Sequence, residues 1–354
     1  MKKILVTGGA GFAGSNLAIL FKSRFPETHV VAFDNLKRRG SELILPRLRA
    51  AGVEFAHGDV RVKEDLLEHG EAELLLDCAA EPSVMAGING APSYVIDTNL
   101  KGTLNCLEYA RLFRSKIIFL STSRVYPVAQ LNALEYVEEE TRFNLKSKQS
   151  VAGASLKGIS EDFPLAGART LYGASKLCSE LMLQEYLDSY KLQAIINRCG
   201  VLTGPWQMGK VDQGVVVLWA AKHIYNKPLS YIGFGGAGKQ VRDILHISDL
   251  FSLLLLQLEK IDQISGRIFN IGGGVERSVS LAELTTLCHE ITGNVVPLQR
   301  QAETRAGDIR YFVTDSSRAH LELGWKPAHS VPATIEEICR WIRDNQVALE
   351  PILA

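Results

Sequence analysis

At 354 residues and 38.9 kDa, the chain is long enough for two domains, or for one large domain with a lobe. Its 39 basic and 39 acidic residues cancel, which argues against non-specific nucleic-acid binding, and 46% hydrophobic with 22% charged residues is too apolar for a disordered chain. The longest apolar run, Phe251 to Leu258, is broken by Ser252 and Gln257 and falls short of the roughly 20 residues of a membrane span.

In chain order, Lys3 to Thr7 reads as a strand, and Gly14 to Phe25 has helical spacing through Leu17, Leu20 and Phe21. His29 to Phe33, Glu54 to His57 and Leu74 to Ala79 are further strands. Ser93 to Phe113 predicts a long helix with Ile96, Leu100, Leu104 and Leu107 on one stripe, and Lys116 to Ser121 a fifth strand. Strands alternating with amphipathic helices predict an α/β protein with a doubly wound parallel sheet, its ligand crevice at the carboxyl ends of the strands. Residues 129–168 are polar and weakly periodic, an irregular insert of the kind that often serves as a lid. Tyr172 to Tyr190 is again helical. From about Gly204, Gly-rich turns, short strands and helices predict a smaller α/β lobe. The expected division is 1–200 for a dinucleotide-binding domain that includes the insert, and 201–354 for a mainly substrate-binding lobe with some segments returning to the first domain. Gly233 to Lys239 has P-loop spacing, but Gln240 stands where a Ser or Thr should hold magnesium and no helix pattern follows.

Gly8, Gly11 and Gly14 follow the first strand and open the first helix. Such a turn brings backbone N–H groups to a pyrophosphate at a helix N-terminus. Asp34 ends the second strand, 20 residues beyond Gly14. A carboxylate there accepts hydrogen bonds from the adenosine ribose and repels a 2′-phosphate, favouring NAD over NADP, although Arg38 and Arg39 stand close enough to hold that phosphate. Asp59, after the third strand, is placed either at the adenine edge or as a helix N-cap.

Tyr172 and Lys176 form a YxxxK pair on one helix face. About half an occurrence of that spacing is expected by chance in this chain, so its weight comes from its place after a dinucleotide-binding half and after Ser121-Thr122-Ser123. A free phenol has a pKa near 10, and a close ammonium lowers it by roughly 1–3 units toward the range of a working base. Thr122 would hold the reacting oxygen, and Lys176 also the nicotinamide ribose. Eight histidines without HxxxH or HExxH spacing give no sign of a metal centre, and six cysteines without CxxC spacing read as reduced thiols. With no signal-like apolar segment at the start, a cytoplasmic protein is expected.

TGGAGFAG at 7–14, Asp34-Asn35, Asp59, TNLKGT at 98–103, STSRVY at 121–126 and YGASK at 172–176 together resemble the extended short-chain dehydrogenase/reductase family. The resemblance implies NAD as cofactor, with Gly8, Gly11, Phe12, Ala13, Asp34, Asn35, Arg38, Asp59, Val60, Ala79, Ala80 and Asn99 around it alongside Tyr172 and Lys176. It implies Thr122, Tyr172 and Lys176 in catalysis. The nucleotide-sugar dehydratases of the family carry Asp and Glu after the catalytic Thr, whereas this chain has Ser123 and Arg124, which favours an epimerase. The run from Glu140 to Lys176, together with Asp212-Gln213-Gly214, Gly238 to Asp243, His246 and Asn270 to Gly273, is similar to the CDP-paratose 2-epimerase branch. Cys78 to Glu81 and Pro127 depart from the usual pattern.

On this resemblance the substrate is a nucleotide-diphosphate sugar, a CDP-sugar in preference, epimerised by oxidation to a keto sugar and re-reduction on the opposite face. Arg242, Arg305 and Asp308 would hold its diphosphate and ribose, Ser123 and Arg124 would also line the substrate site, and Gln207 and Lys210 are weaker candidates for sugar or base contacts. A UDP-hexose 4-epimerase, a nucleotide-sugar dehydratase or reductase, and a non-catalytic NAD sensor remain alternatives. The resemblance also implies a homodimer or homotetramer, and neither nucleic acid nor membrane as a partner.

Overall fold

A computed structural model describes residues 1–88, 91–210 and 213–354, so Asp212 lies outside the described residues. The chain divides into two compact units, and both are discontinuous in sequence. The first comprises Met1–Val125, Leu171–Arg198 and Leu250–Phe269; the second comprises Tyr126–Thr170, Cys199–Asp249 and Asn270–Ala354. The insert therefore groups with the C-terminal segments, not with the first 200 residues, and 250–269 returns to the first unit.

The first unit is built on a seven-stranded sheet. Its strands are β1 (Lys3–Thr7), β2 (His29–Asp34), β3 (Glu54–His57), β4 (Leu74–Asp77), β5 (Lys116–Thr122), β6 (Ala194–Cys199) and β7 (Ile268–Ile271). They lie in the order β7-β6-β5-β4-β1-β2-β3, and β1 pairs in parallel with both β2 and β4. The chain thus reverses its direction of winding beside β1, which opens a crevice at the carboxyl ends of β1 and β4. Near-continuous apolar strands such as Ile4-Leu5-Val6 and Leu74-Leu75-Leu76 are buried on both faces.

The helix expected over 93–113 is interrupted by a π-turn at Asp97–Lys101, between Ser93–Ile96 and α2 (Gly102–Phe113), once α1 is assigned to Phe12–Arg24. The extra residue in that turn rotates the stripe. Ile96 is exposed, while Val95, Thr98, Asn99, Thr103, Cys106 and Leu107 face inward. A fourth-strand end at Asp77, two residues earlier than expected, frees Cys78 to Glu81 as a loop at the crevice. The third long helix, α3, spans Leu171–Tyr190 and packs on β5.

In the second unit, Val241–His246 pairs with Val201–Thr203 and Tyr311–Phe312 in parallel and with Ser278–Ser280 antiparallel. The helices Val215–Ile224, Leu281–Thr292 and Val331–Asp344 pack on one another, the second opened by a capping box of Ser280 and Glu283. The Gly233–Lys239 turn is followed by the strand Val241–His246, so no P-loop helix exists there.

The insert contains two small hairpins, Tyr136–Glu138 with Phe143–Leu145 and Ala154–Ser155 with Gly158–Ile159. Polarity hid them, because their anchors lie far away in sequence. Asn270 accepts the Tyr126 hydroxyl at 2.7 Å and donates to the Ile159 carbonyl at 3.0 Å, while its N–H donates to Glu161 at 2.7 Å. All six cysteines are thiols, and among the described residues no helix is long and apolar enough to cross a membrane.

Replacing Asn270 by Ala removes two buried side-chain bonds, each worth about 1 kcal/mol with a further desolvation cost for the stranded groups. Calorimetry should show Asn270→Ala destabilised by about 2–3 kcal/mol. Limited proteolysis should cut first within 126–170, and an unaltered Tm and cleavage pattern would mean that Asn270 does not anchor the insert.

Candidate functional site

The carboxyl edge of the first sheet gathers the residues singled out around the dinucleotide. Gly8 adopts φ 64°, and a Cβ there would lie 2.8 Å from the Cys78 carbonyl oxygen. A Cβ on Gly14 would lie 2.2 Å from the Gly8 carbonyl oxygen, so helix and turn touch only because Gly14 lacks a side chain. α1 opens at Gly11 without a capping side chain. The N–H groups of its first turn, at Phe12 and Ala13, therefore point outward from a helix N-terminus that suits a phosphate. The cradle fits a dinucleotide.

Asp34 accepts N–H bonds from Ala10 at 3.1 Å and Leu36 at 2.7 Å, which aim its carboxylate across the glycine turn. Burial raises its pKa above the ordinary carboxylate value, against those two bonds. Asn35 donates to Asp59 at 2.9 Å. Asp59 also binds the Arg61 guanidinium at 2.6 Å, and chiefly that bond draws its pKa down to about 2. Asp59 does not cap a helix: the helix Lys63–Leu67 begins after Val62, and Asp59 instead folds its own turn by accepting the Arg61 N–H at 2.9 Å. Val60 is buried, with its carbonyl taken by Asn105, and Arg38 is half-buried. Ala79 donates its N–H to Thr7, and Ala80 is half-buried on the same loop.

Asn99 sits in the π-turn, fully buried. It accepts the Glu81 N–H at 2.7 Å and donates to the Ser175 hydroxyl at 3.1 Å, which in turn bonds the Tyr172 carbonyl at 2.8 Å. Its side chain thus ties the loop after β4 to the first turn of α3. A π-turn at such a place is a common device for aiming one side chain.

Thr122 ends β5 and accepts the Arg124 N–H at 3.2 Å, leaving its O–H to donate elsewhere. Ser123 and Arg124 form the next short turn, against which α3 packs. Tyr172 and Lys176 are one turn apart on α3. Lys176 is almost fully buried, and its Nζ lies 3.9 Å from the centroid of the Phe119 ring.

Two elements here escaped the sequence reading. Glu180, one further turn along α3, accepts the Ser121 hydroxyl and is gripped by Arg198, whose Nη2 lies 2.7 Å from Oε2. Asp77 at the end of β4 accepts the hydroxyls of Thr7 at 2.9 Å and Thr103 at 3.1 Å. Only the i, i+4 and i+8 spacing of Tyr172, Lys176 and Glu180 could have signalled the first.

In the second unit, Arg242 donates to the carbonyls of Val241 at 2.7 Å and Ile309 at 2.6 Å, and Arg305 pairs with Asp308 at 3.1 Å. These three side chains share one region. Arg310 joins them: its guanidinium carbon lies 5.1–5.5 Å from the ring centroids of Tyr136, Phe143 and Phe234. Sequence reading missed it because two of those rings belong to the insert. Gln207 is occupied internally, accepting the Thr203 hydroxyl at 3.0 Å and donating to the Leu202 carbonyl at 2.9 Å. Lys210 is exposed and exchanges two backbone bonds with Gln213.

One group of three candidate metal ligands stands close together among the described residues: His246, His329 and Glu337. His246 Nδ1 accepts the Ser248 N–H at 3.2 Å. That keeps the proton on Nε2, the atom that faces Glu337 at 3.3 Å and that a metal would need.

The family model described as "NAD dependent epimerase/dehydratase family" matches residues 4–272. CDP-paratose 2-epimerase of Salmonella typhi is 32% identical, over 96% of this chain and 98% of that protein. A dTDP-glucose 4,6-dehydratase of Xanthomonas campestris is 29% identical over 99% and 95%. Among solved structures, a double mutant of the dTDP-glucose 4,6-dehydratase DesIV of Streptomyces venezuelae, crystallised with NAD, superposes with a TM-score of 0.79 at 26% identity, covering 99% of each chain. With the match spanning most of the sequence and both compact units, the chain belongs to the NAD dependent epimerase/dehydratase family.

Proposed function

We propose that the protein is a cytoplasmic nucleotide-sugar epimerase that inverts C2 of a CDP-sugar of the paratose type, working as a homodimer or homotetramer. The observation that carries this reading is the end of β5. Thr122 stands beside the Tyr172–Lys176 helix, and the two positions after it are Ser123 and Arg124. Elimination of water needs carboxylates to shuttle protons there, and neither residue is one. The 32% identity to a CDP-paratose 2-epimerase over nearly the whole of both chains supports the same choice.

When bound, NAD supplies the two-electron acceptor and donor, which leaves no net redox change. Phe12 and Ala13 would offer their backbone N–H groups to its pyrophosphate, Gly8 and Gly11 would let the backbone approach it, and Asp34 would accept from the ribose hydroxyls. Tyr172, as phenolate, removes the proton of the C2 hydroxyl and returns it after the sugar turns over. Thr122 donates a hydrogen bond to that oxygen and holds it in line. Lys176 lowers the phenol's pKa through its charge and bonds the nicotinamide ribose. Arg242, Arg305 and Asp308 retain the nucleotide diphosphate while the sugar reorients, since a guanidinium matches phosphate geometry.

Removing the base should be decisive. Tyr172→Phe should lower kcat by about a thousandfold, within the range of general-base losses, while NAD still co-purifies. Full activity of that variant would remove Tyr172 from the chemistry. In a competition assay, CDP-paratose should be turned over in preference to UDP-glucose, and a clear preference for UDP-glucose, or a stable 4-keto product, would end the C2 assignment. For the cofactor, titration should show that Asp34→Ala narrows the preference for NAD over NADP by about tenfold, or about 1.4 kcal/mol. An unchanged ratio would place the 2′-position away from Asp34.

A further inference from the structure

The Tyr172 mechanism requires a cation that stays charged although Lys176 is only 1% exposed. Burial disfavours an ammonium unless its surroundings compensate. The buried Cys106 thiol on α2 feels the charges of both Lys176 and Asp77 at the end of β4, so these groups share the interior with it, and three features of the first unit bear on how the ammonium is held. Phe119 and Ser121 alternate on β5, so both side chains stand on the sheet face that carries α3. The ring of Phe119 is itself fully buried, with Lys176 Nζ 3.9 Å from its centroid, well inside the range in which a ring's negative face attracts a cation. Glu180 is committed elsewhere: Arg198 Nε lies 3.1 Å from both of its oxygens and Nη2 2.7 Å from Oε2, and Ser121 donates a hydroxyl to it. The carboxylate one turn below Lys176 is therefore matched by its own arginine, and it fixes α3 against β5 at the height where Phe119 lies.

We infer that Phe119 is a positioning residue of this reaction: its ring face holds the Lys176 ammonium charged and in place, and through it sets the pH at which Tyr172 ionises. The inference rests on the reading of Tyr172 as base. Phe119 touches neither the sugar nor the proton. Its effect passes entirely through the charge beside the phenol, so it is felt where the phenol titrates and vanishes where the phenol is already ionised.

The acid limb of the kcat–pH profile reports that ionisation in the enzyme–substrate complex. Truncating a buried ring also opens a cavity, so the informative variants keep its shape. The holoenzyme is prepared with phenylalanine, 4-fluoro-, 3,5-difluoro- and 3,4,5-trifluorophenylalanine at position 119, which withdraw charge from the ring face stepwise. With CDP-paratose as substrate, the acid limb should climb in pH with each fluorine, to a total of about one unit. The rate below the limb should then be about tenfold lower, with the wild-type plateau retained at high pH. Phe119→Tyr should keep the wild-type limb, and Phe119→Leu should displace it in the same sense as the fluorinated series. A limb that stays in place across the series overturns the inference, as does a loss of rate equal at every pH, the mark of a merely structural ring. Tyr172→Phe measured in parallel separates the two failures. An inactive Tyr172→Phe with an immobile limb refutes only the role of Phe119, whereas an active one refutes the base itself.

Discussion

The seating of α3 across the end of β5 is the constraint on which the chemistry rests. A tyrosine and a lysine four residues apart are unremarkable on an isolated helix. They become a base and its activating charge only if that helix is held at one height and one rotation relative to Thr122. Buried polar bonds do this at two levels. Ser121, Glu180 and Arg198 lock the middle of the helix to the sheet, and Asn99 ties its first turn, through Ser175, to the loop after β4. Deleting one partner of a buried ion pair such as Glu180–Arg198 typically costs about 3–5 kcal/mol, because the other charge is stranded. The helix therefore cannot slide or turn without leaving a buried charge or amide unsatisfied.

The π-turn at Asp97–Lys101 belongs to the same economy of position. A regular helix over 93–113 would place Ile96 and Asn99, three residues apart, on one face, whereas here Ile96 is exposed and Asn99 fully buried. The additional residue brings Asn99 to the loop and to α3 at once. In the second unit the insert serves the arginines. Its Tyr136 and Phe143, with Phe234, surround Arg310 beside the Arg305–Asp308 pair, while Asn270 fastens the insert at Tyr126 and Ile159. Aromatic faces around a guanidinium hold it without consuming the hydrogen bonds that a phosphate needs.

Much of this is legible in the sequence, because local rules govern it. Five of the seven strands of the sheet, β1 to β5, follow from short apolar runs, and the glycine turn from its position between a strand and a helix, whereas β6 and β7 were not read. The YxxxK helix was found by spacing and context. What escaped depended on contacts distant in sequence. Glu180 and Arg198 look like ordinary surface charges until β6 is placed beside β5. The hairpins of 129–168 carry almost no alternation of their own, since their partners are Asn270 and the backbone carbonyls of Val313 and Lys239 in the C-terminal segments. The π-turn has no compositional sign at all, and of the stripe predicted there Ile96, before the turn, is exposed, while Leu104 and Leu107, after it, pack in the core. The bonds of Gln207 to Thr203 and Leu202 likewise could not be read from its position in the sequence.

The fate of the hydrogen at C2 tests the proposed transient oxidation most directly. If that hydrogen leaves and returns within one closed site, a substrate carrying deuterium at C2 yields an inverted product that keeps the label at C2, with no hydrogen drawn from water, as NMR of the product would read. Washout of the label into solvent, or solvent hydrogen appearing elsewhere on the sugar with loss of water, would contradict the transient-oxidation mechanism proposed for Tyr172, Lys176 and Thr122.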